Sequence, residues 1–240
     1  MLPGGMIRGR GISHLLSTVL FDLDDTLLDS FNARVQALQQ VFARAGIPYP
    51  QAEQFLRSLH GTPLNEALAE LEATRKTGAN LFEDYRHIYW TKAPGMISLY
   101  PGIKRVLEEL CSHGVRLGIV TQKARQLEVE GRWVGAVQEL EELGVANLFS
   151  MIVGFEDVNH HKPHPEGINL ALSRLAATPS LTLVVGDSAA DMEAAKSAGC
   201  WSCYATWGVP AAEQRLEAVQ ADLVAGTPDV FLELIVELFG

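Results

Sequence analysis

The chain has 240 residues, enough for one large domain or a main domain with a smaller one. At 48% hydrophobic and 20% charged it has the composition of an ordinary globular protein, and no stretch has the make-up of a signal peptide or membrane span. Nineteen Lys and Arg against twenty-nine Asp and Glu leave a net charge of −10, which argues against a broad nucleic-acid or anionic-membrane surface. A small anionic substrate stays compatible, because a local pocket can be positive on an acidic protein.

Residues 1–16 read as a frayed leader, with Arg8, Arg10 and only broken apolar pairs such as Leu15-Leu16. The first predicted strand, 18–22, lies in "STVLFDLDDTLLDS" (17–30), where an apolar run stops at Asp22 and two more acids, Asp24 and Asp25, follow. Like charges this close repel and raise one another's pKa values, and a bound cation is the usual offset. Apolar periodicity near the helical repeat then predicts four helices, 33–45, 51–60, 64–75 and 81–92. Pro48 and Pro50, Gly61 to Pro63, and Gly78 to Asn80 punctuate them, and Pro94-Gly95 and Pro101-Gly102 bracket a return segment. A helical module is therefore inserted after the first strand.

From Val115 onward, short apolar runs alternate with amphipathic stretches. "VRLGIV" (115–120), "LFSMIVG" (148–154) and "LTLVVG" (181–186) read as strands buried on both faces of a parallel sheet. Residues 134–143, 165–177 and 188–198 read as helices, 201–205 and 222–225 as further short strands, and 227–239 as a closing helix opened by Thr227-Pro228. With strand 18–22 this is a doubly wound α/β pattern. Cys111, Cys200 and Cys203 are too few and too odd for a disulfide framework, so a reducing cytoplasm is expected. No helix start follows "CWSC", so its cysteines are read as small core residues beside a strand rather than a redox pair.

Three of the strands end on a polar residue, Asp22, Thr121 and Asp187, and the strand at 148–154 leads into a loop carrying Lys162. Open parallel sheets bind ligands at the carboxyl ends of their strands, so these residues meet on one rim. Carboxylates hold a hard divalent cation, and a hydroxyl and an ammonium hold an anion. A small hard cation that keeps waters and shares oxygens with phosphate is Mg²⁺.

Four motifs in order give this pattern a family. "VLFDLDDTLLDS" resembles the D-x-D-x-T motif of the haloacid dehalogenase superfamily, "GIVTQK" its second, "HHKPHP" its third, and "LVVGDSAADMEAAKSAG" its fourth, G-D-x-x-x-D. The resemblance runs from Thr18 to about Gly226. It implies a Rossmann-like doubly wound core formed by 17–29 and 100–240, with a helical cap at 30–99. It also implies phosphoryl transfer through an aspartyl-phosphate, with Asp22 as nucleophile and Asp24 as general acid and base. Mg²⁺ would be held by Asp22, the Asp24 carbonyl, Asp187 and Asp191. Thr121 and Lys162 would hold phosphoryl oxygens, and Thr26 would support the loop. The cap stretch "FLRSLHGTPLNEAL" and the return "LYPGIKRVLEEL" are similar to phosphoglycolate-phosphatase-like members, in which Arg57 and Gly61 would belong to the loop over the pocket.

Other residues have plainer readings. Asp25 is expected to be a solvated loop residue, and Asp29 or Ser30 to cap the first cap helix. Arg57 either adds positive charge over the substrate or pairs with Glu53 one turn earlier. The spacing of His160, His161 and His164 fits no helix face or zinc pattern. Glu193 and Lys196 read as surface charges. Two departures from the family pattern stand out. Gln122 takes the place where Asn is common, where it would bear on an amide contact to the phosphate, and 123–140 is longer than expected, either adding to the pocket or making a longer loop.

The expected function is a Mg²⁺-dependent phosphatase of a small phosphorylated metabolite, acting as a monomer or homodimer. Asp24 argues against the dehalogenase and phosphonatase branches, and Thr26 against a sugar phosphomutase of the β-phosphoglucomutase type. A phosphoryl-holding regulatory module is the alternative of a different class. Such modules carry no large helical insertion and place their acceptor elsewhere than the first strand.

Overall fold

In the computed structural model, residues 16–48, 51–59, 62–76, 78–92, 95–211, 213–214 and 219–239 are described. Residues 1–15, nearly all of the predicted leader, lie outside these, as do Pro50, Gly61 and Pro94.

The chain opens with β1 (Thr18–Phe21) and a two-residue strand β2 (Leu28–Asp29), then runs through α1 (Phe31–Arg44), α2 (Gln51–Ser58), α3 (Leu64–Arg75) and α4 (Leu81–Lys92). After β3 (Ser98–Leu99) come α5 (Ile103–Ser112), β4 (Arg116–Val120), β5 (Leu127–Val129), β6 (Arg132–Val134) and α6 (Ala136–Glu142). The rest is β7 (Phe149–Val153), α7 (Glu166–Leu175), β8 (Thr182–Gly186), α8 (Ala189–Ser197), β9 (Trp201–Ala205), β10 (Leu223–Ala225) and α9 (Pro228–Phe239). None of the described helices is long and apolar enough to cross a membrane.

Six strands form one parallel sheet in the order β10-β9-β8-β1-β4-β7. The chain leaves β1 toward β4 and β7, then returns to β8 on the other side, so β1 marks the point where strand order reverses. Alternation along β1 explains why the sheet is covered on both faces. Val19 and Phe21 pack with Ile103, Val106 and Leu107 of α5 and Phe231 and Ile235 of α9. Leu20 faces the other way, against Ile168 and Leu172 of α7 and Ala194 and Ala195 of α8. This is the doubly wound α/β core.

The helices between β1 and α5 bury their own apolar cluster. Leu38, Val41 and Phe42 of α1, Leu56 of α2, Leu68 of α3 and Leu81, Ile88 and Tyr89 of α4 form it. Its two connections to the core pair as the antiparallel strands β2 and β3, a ribbon that sequence reading did not anticipate. Two residues carry too little periodicity to show. The 123–140 stretch, read as either a pocket element or a loop, folds as the antiparallel hairpin β5–β6 and leads into α6, so the helix expected from 134 begins at Ala136. Leu127, Val129 and Val134 pack against the helical cluster, while Trp133 stays 60% exposed. Cys203 lies buried in β9 and Cys200 just before it, as expected of core residues.

Candidate active site

The carboxyl ends of β1, β4 and β8, with the loop after β7, converge beside one cavity of about 550 Å³. Parallel register sets the heights of these ends: Phe21 stands opposite Ile119 and Val185, so Asp22, Thr121 and Asp187 follow at nearly one level. The Asp22 amide donates to the Val185 carbonyl at 2.8 Å and the Thr121 amide to the Val153 carbonyl at 2.9 Å, extending the ladder to the rim.

Lys162 is the hub on one side. Its Nζ donates to Asp22 Oδ1 and Asp191 Oδ1, both at 2.6 Å, and to the Val120 carbonyl at 3.1 Å. Burial works against its charge, but Asp191 and Asp22 outweigh burial and hold the ammonium above the usual lysine range. Gln122 Nε2 donates to the Lys162 carbonyl at 2.9 Å, so the residue where Asn is common steadies the lysine loop. Asp191 sits in the first turn of α8 inside a capping box: the Ser188 amide and hydroxyl donate to its Oδ2 at 3.1 and 2.6 Å.

Oxygen atoms of Asp22, Asp187 and Asp191 lie within 4.8 Å of one another. Burial pushes the Asp22 carboxyl up to about 7, with Asp191 adding to the rise against the pull of Lys162. Burial, then the charges of Asp25, Asp22 and Asp191, push Asp187 well above the usual carboxylate range. Three clustered carboxyl groups under this mutual repulsion, all hard oxygen donors, fit a divalent cation such as Mg²⁺. Thr26 donates to Asp187 Oδ1 at 3.1 Å, and Trp207 Nε1 donates to the Thr26 carbonyl at 2.8 Å. The expected loop support is thus tied to a site carboxylate.

Asp24 occupies a second, separate network. Its Oδ1 accepts from Lys123 Nζ at 2.8 Å and from the Ser30 hydroxyl. Lys123 also donates to Glu139 Oε2 at 2.7 Å and to Tyr89 Oη at 2.9 Å, and Tyr89 donates to Glu139 Oε1 at 2.9 Å. Burial alone would raise the Asp24 carboxyl, but Lys123 and Arg34 outweigh it and hold it below the usual range. Two half-buried acids of one rim are therefore pushed apart, Asp22 upward and Asp24 downward. An attacking carboxylate must be ionised and a proton donor protonated, so these directions run opposite to a nucleophilic Asp22 and an acidic Asp24. A cation beside Asp22 would lower its carboxyl toward the ionised form.

Sequence reasoning missed Lys123 and Glu139. A signal existed: Lys123 follows the Thr121-Gln122 pair directly, but nothing in one dimension joins it to Glu139 on α6 or Tyr89 on α4. Ser30 was expected to cap α1. It makes no side-chain cap bond and instead donates to Asp24, because the acid is within reach and helix N-termini can be solvated. Asp25 is not a solvated residue either. It is half-buried with φ of 63°, paired with Arg34 of α1, because the tight return from Asp24 to Leu28 folds it inward.

Thr121 is buried and its Oγ1 accepts from the Lys123 amide at 3.1 Å. Arg57 lines the same cavity, but its guanidinium is taken up by Glu53 at 2.9 Å and Glu213 at 3.0 Å and lies over the Phe31 ring. The helical Glu53 pair therefore forms. His160, His164 and Glu166 do come within 4.8 Å of one another, on the exposed surface, where Glu166 accepts from the Asn159 and His160 amides. That arrangement accounts for them as a brace on the loop preceding Lys162. Glu193 and Lys196 are exposed.

Comparison with known proteins gives the chain a family. The family model for haloacid dehalogenase-like hydrolases matches residues 19–205, and the chain belongs to that family. It is 31% identical over 231 residues to a phosphoglycolate phosphatase of Vibrio parahaemolyticus, covering 92% of this chain and 96% of that one. A pyrophosphatase of Oceanobacillus iheyensis is 28% identical over 194 residues, 81% of this chain and 85% of the other. A solved haloacid dehalogenase-like hydrolase from Streptococcus pneumoniae superposes with a TM-score of 0.74 at 28% identity, covering 92% and 97% of the two chains. Within the family the chain is a phosphatase, a phosphoric monoester hydrolase.

Proposed function

We propose that the chain hydrolyses small phosphorylated metabolites in two steps through a phosphoryl group carried on Asp22, with Mg²⁺ as cofactor. One observation carries this reading: Lys162 Nζ spans Asp22 and Asp191 at 2.6 Å each, beside Asp187, at the reversal point of the sheet. Asp22 Oδ attacks phosphorus, the ester oxygen leaves, and the covalent intermediate is then hydrolysed. Asp24 gives a proton to the leaving oxygen and later takes one from the attacking water. Thr121 and Lys162 bind the equatorial phosphoryl oxygens and stabilise charge during transfer. Asp22, Asp187 and Asp191, with the Asp24 carbonyl, would hold Mg²⁺, which supplies charge neutralisation for an anionic substrate meeting an anionic nucleophile. Thr26 and Gln122 steady these groups through Asp187 and the Lys162 carbonyl.

In the same reading, residues 30–99 are a cap over a catalytic core made of 17–29 and 100–240, and the cavity between them is where the substrate sits. Arg57 is assigned to the wall of that cavity rather than to the phosphate, since two carboxylates already balance its charge. The test is phosphate release from a panel of phosphorylated metabolites, with Mg²⁺ and with EDTA. Release is expected to need Mg²⁺ and to fall at least a thousandfold in Asp22→Asn. Residual activity within tenfold of wild type would remove Asp22 from the nucleophile role.

A further inference from the structure

The cavity is larger and flatter-walled than hydrolysis of a compact phosphate requires. Its volume of about 550 Å³ lies in the range of roughly 300–1,000 Å³ that encloses a drug-sized ligand, far beyond a phosphoryl group on a two-carbon acid. Beside the lysine of the rim, the His161 ring stacks on Phe155, centroids 4.2 Å apart and planes 15° from parallel. Phe155 in turn meets Phe82 of α4 at 6.2 Å. His161, which does not line the cavity, covers one face of Phe155, and Phe82 links Phe155 to the helical module. Phe155 and Phe82 both line the cavity and both are only half-buried, so each keeps surface to offer a ligand. Also lining the cavity, the Arg57 guanidinium lies over Phe31, 4.3 Å from the ring centroid.

Charge points the same way. Five cations line the cavity among the described residues, and each is already matched by an acid. Arg34 pairs with Asp25, Arg57 with Glu53 and Glu213, Arg86 with Glu83, Lys123 with Asp24 and Glu139, and Lys162 with Asp22 and Asp191. A phosphoryl group can engage Lys162, as the reaction requires. A carboxylate on the alcohol half would have to displace an acid from Arg34, Lys123 or Arg57 and leave a partly buried acid unpaired, whereas the Arg86 pair, whose Glu83 is exposed, opens at little cost. A neutral ring makes no such demand and gains from the aromatic faces.

We propose that the preferred substrate is a monoester of phosphate with an alcohol bearing a neutral planar ring, packed against the aromatic lining formed by Phe82, Phe155 and Phe31. The inference rests on the phosphatase reading of the site but is read out without turnover. Benzylphosphonate, ethylphosphonate and phosphonoacetate share a non-hydrolysable phosphoryl end and differ only in what fills the cavity. Their affinities for the Mg²⁺-loaded protein, measured by calorimetry, are expected to favour benzylphosphonate over each of the others by about tenfold. The Phe82→Leu variant keeps apolar volume but loses the flat face, and should bring the benzyl-to-ethyl ratio close to one. Equal or tighter binding of ethylphosphonate or phosphonoacetate overturns the proposal, as does a benzyl preference untouched by both Phe82→Leu and Phe155→Leu. Hydrolysis of benzyl and ethyl phosphate by wild type and Asp22→Asn, run alongside, reports on the phosphatase reading separately: ring-selective binding without Asp22-dependent release would sink that reading alone.

Discussion

Asp22 and Asp24 are two residues apart and chemically identical, yet their surroundings give them opposite character. Asp22 is pushed up by burial and by Asp191, whereas Lys123 and Arg34 hold Asp24 down. Lys123 is the residue on which this difference depends most. It is 7% exposed, lies between Asp24 and Glu139, and owes its raised pKa to those two acids working against burial. Replacing it by Met would strand two carboxylates without their cation, and breaking such a buried pair costs about 3–5 kcal/mol. Lys123→Met should therefore shift the urea midpoint by that equivalent and reduce kcat. Glu139→Gln, which leaves the Asp24–Lys123 contact in place, should do much less to both. A midpoint unchanged in Lys123→Met would mean that water satisfies the two acids and that the network contributes little to folding.

At the scale of elements, the site depends on loops held by contacts that neither partner reveals alone. The return from Asp24 to Leu28 is fastened by backbone bonds of Leu27 and Leu28 to the Leu23 carbonyl, and it packs against the segment after β9. Gly208 is the contact point: a Cβ there would stand 2.1 Å from the Asp25 carbonyl oxygen and 2.9 Å from the Tyr100 hydroxyl. Backbone cannot yield as a flexible side chain can, so Gly208→Ala must displace the loop that carries Asp24. Overpacking of this kind costs about 1–3 kcal/mol, and activity should fall further than stability, since small displacements at a reacting centre are costly. Comparing the urea midpoint with kcat of the same variant checks this; a fall in stability with kcat intact would show that the loop moves without disturbing Asp24. Gly186 plays the corresponding part for α8, where an added Cβ would overlap the Asp191 carboxyl group at 2.3 Å.

For the molecule as a whole, the clustered acids link pH, metal and stability. Asp22 has a native pKa of about 7 against an ordinary 3.8, and Asp187 shifts in the same direction. A raised carboxyl pKa means the folded state binds the proton more tightly, so this contribution is fully present below about pH 4 and is lost as pH rises through 7. Asp24 shifts downward, and its contribution disappears only below its ordinary 3.8, outside that window. With EDTA, the share of stability due to Asp22 and Asp187 should thus fall between pH 5.5 and 8. In the proposed reading Mg²⁺ would replace the protons, so its addition should raise Tm more at pH 8 than at pH 5.5. Thermal melts at both pH values, with Mg²⁺ and with EDTA, measure it; an equal rise at both would separate cation binding from these carboxyls.

How much of this the chain announces can be read from particular residues. Phe21-Asp22, Val120-Thr121 and Gly186-Asp187 were legible because a β-branched or apolar run ending on a polar residue is a local signal, and parallel strands put such ends on one rim. The helices at 64–75 and 81–92 were legible to the residue, since their apolar period lies within a single segment. Ser30, Asp25, Lys123 and Glu139 were not, because each takes its role from a partner supplied by another element. The two-residue strands β2 and β3 were too short to carry any period. By itself, then, the order of residues determined the alternation of strands and helices, the helical insertion and the acids and lysine of the rim, all consequences of local hydrophobic patterning and motif spacing. Tertiary structure alone decided which acid faces which cation, that the hairpin after Thr121 joins the wall against α4, and the size and aromatic lining of the cavity. Those depend on packing between segments far apart in the chain, where burial sets the strength of every charge and the shape of every space.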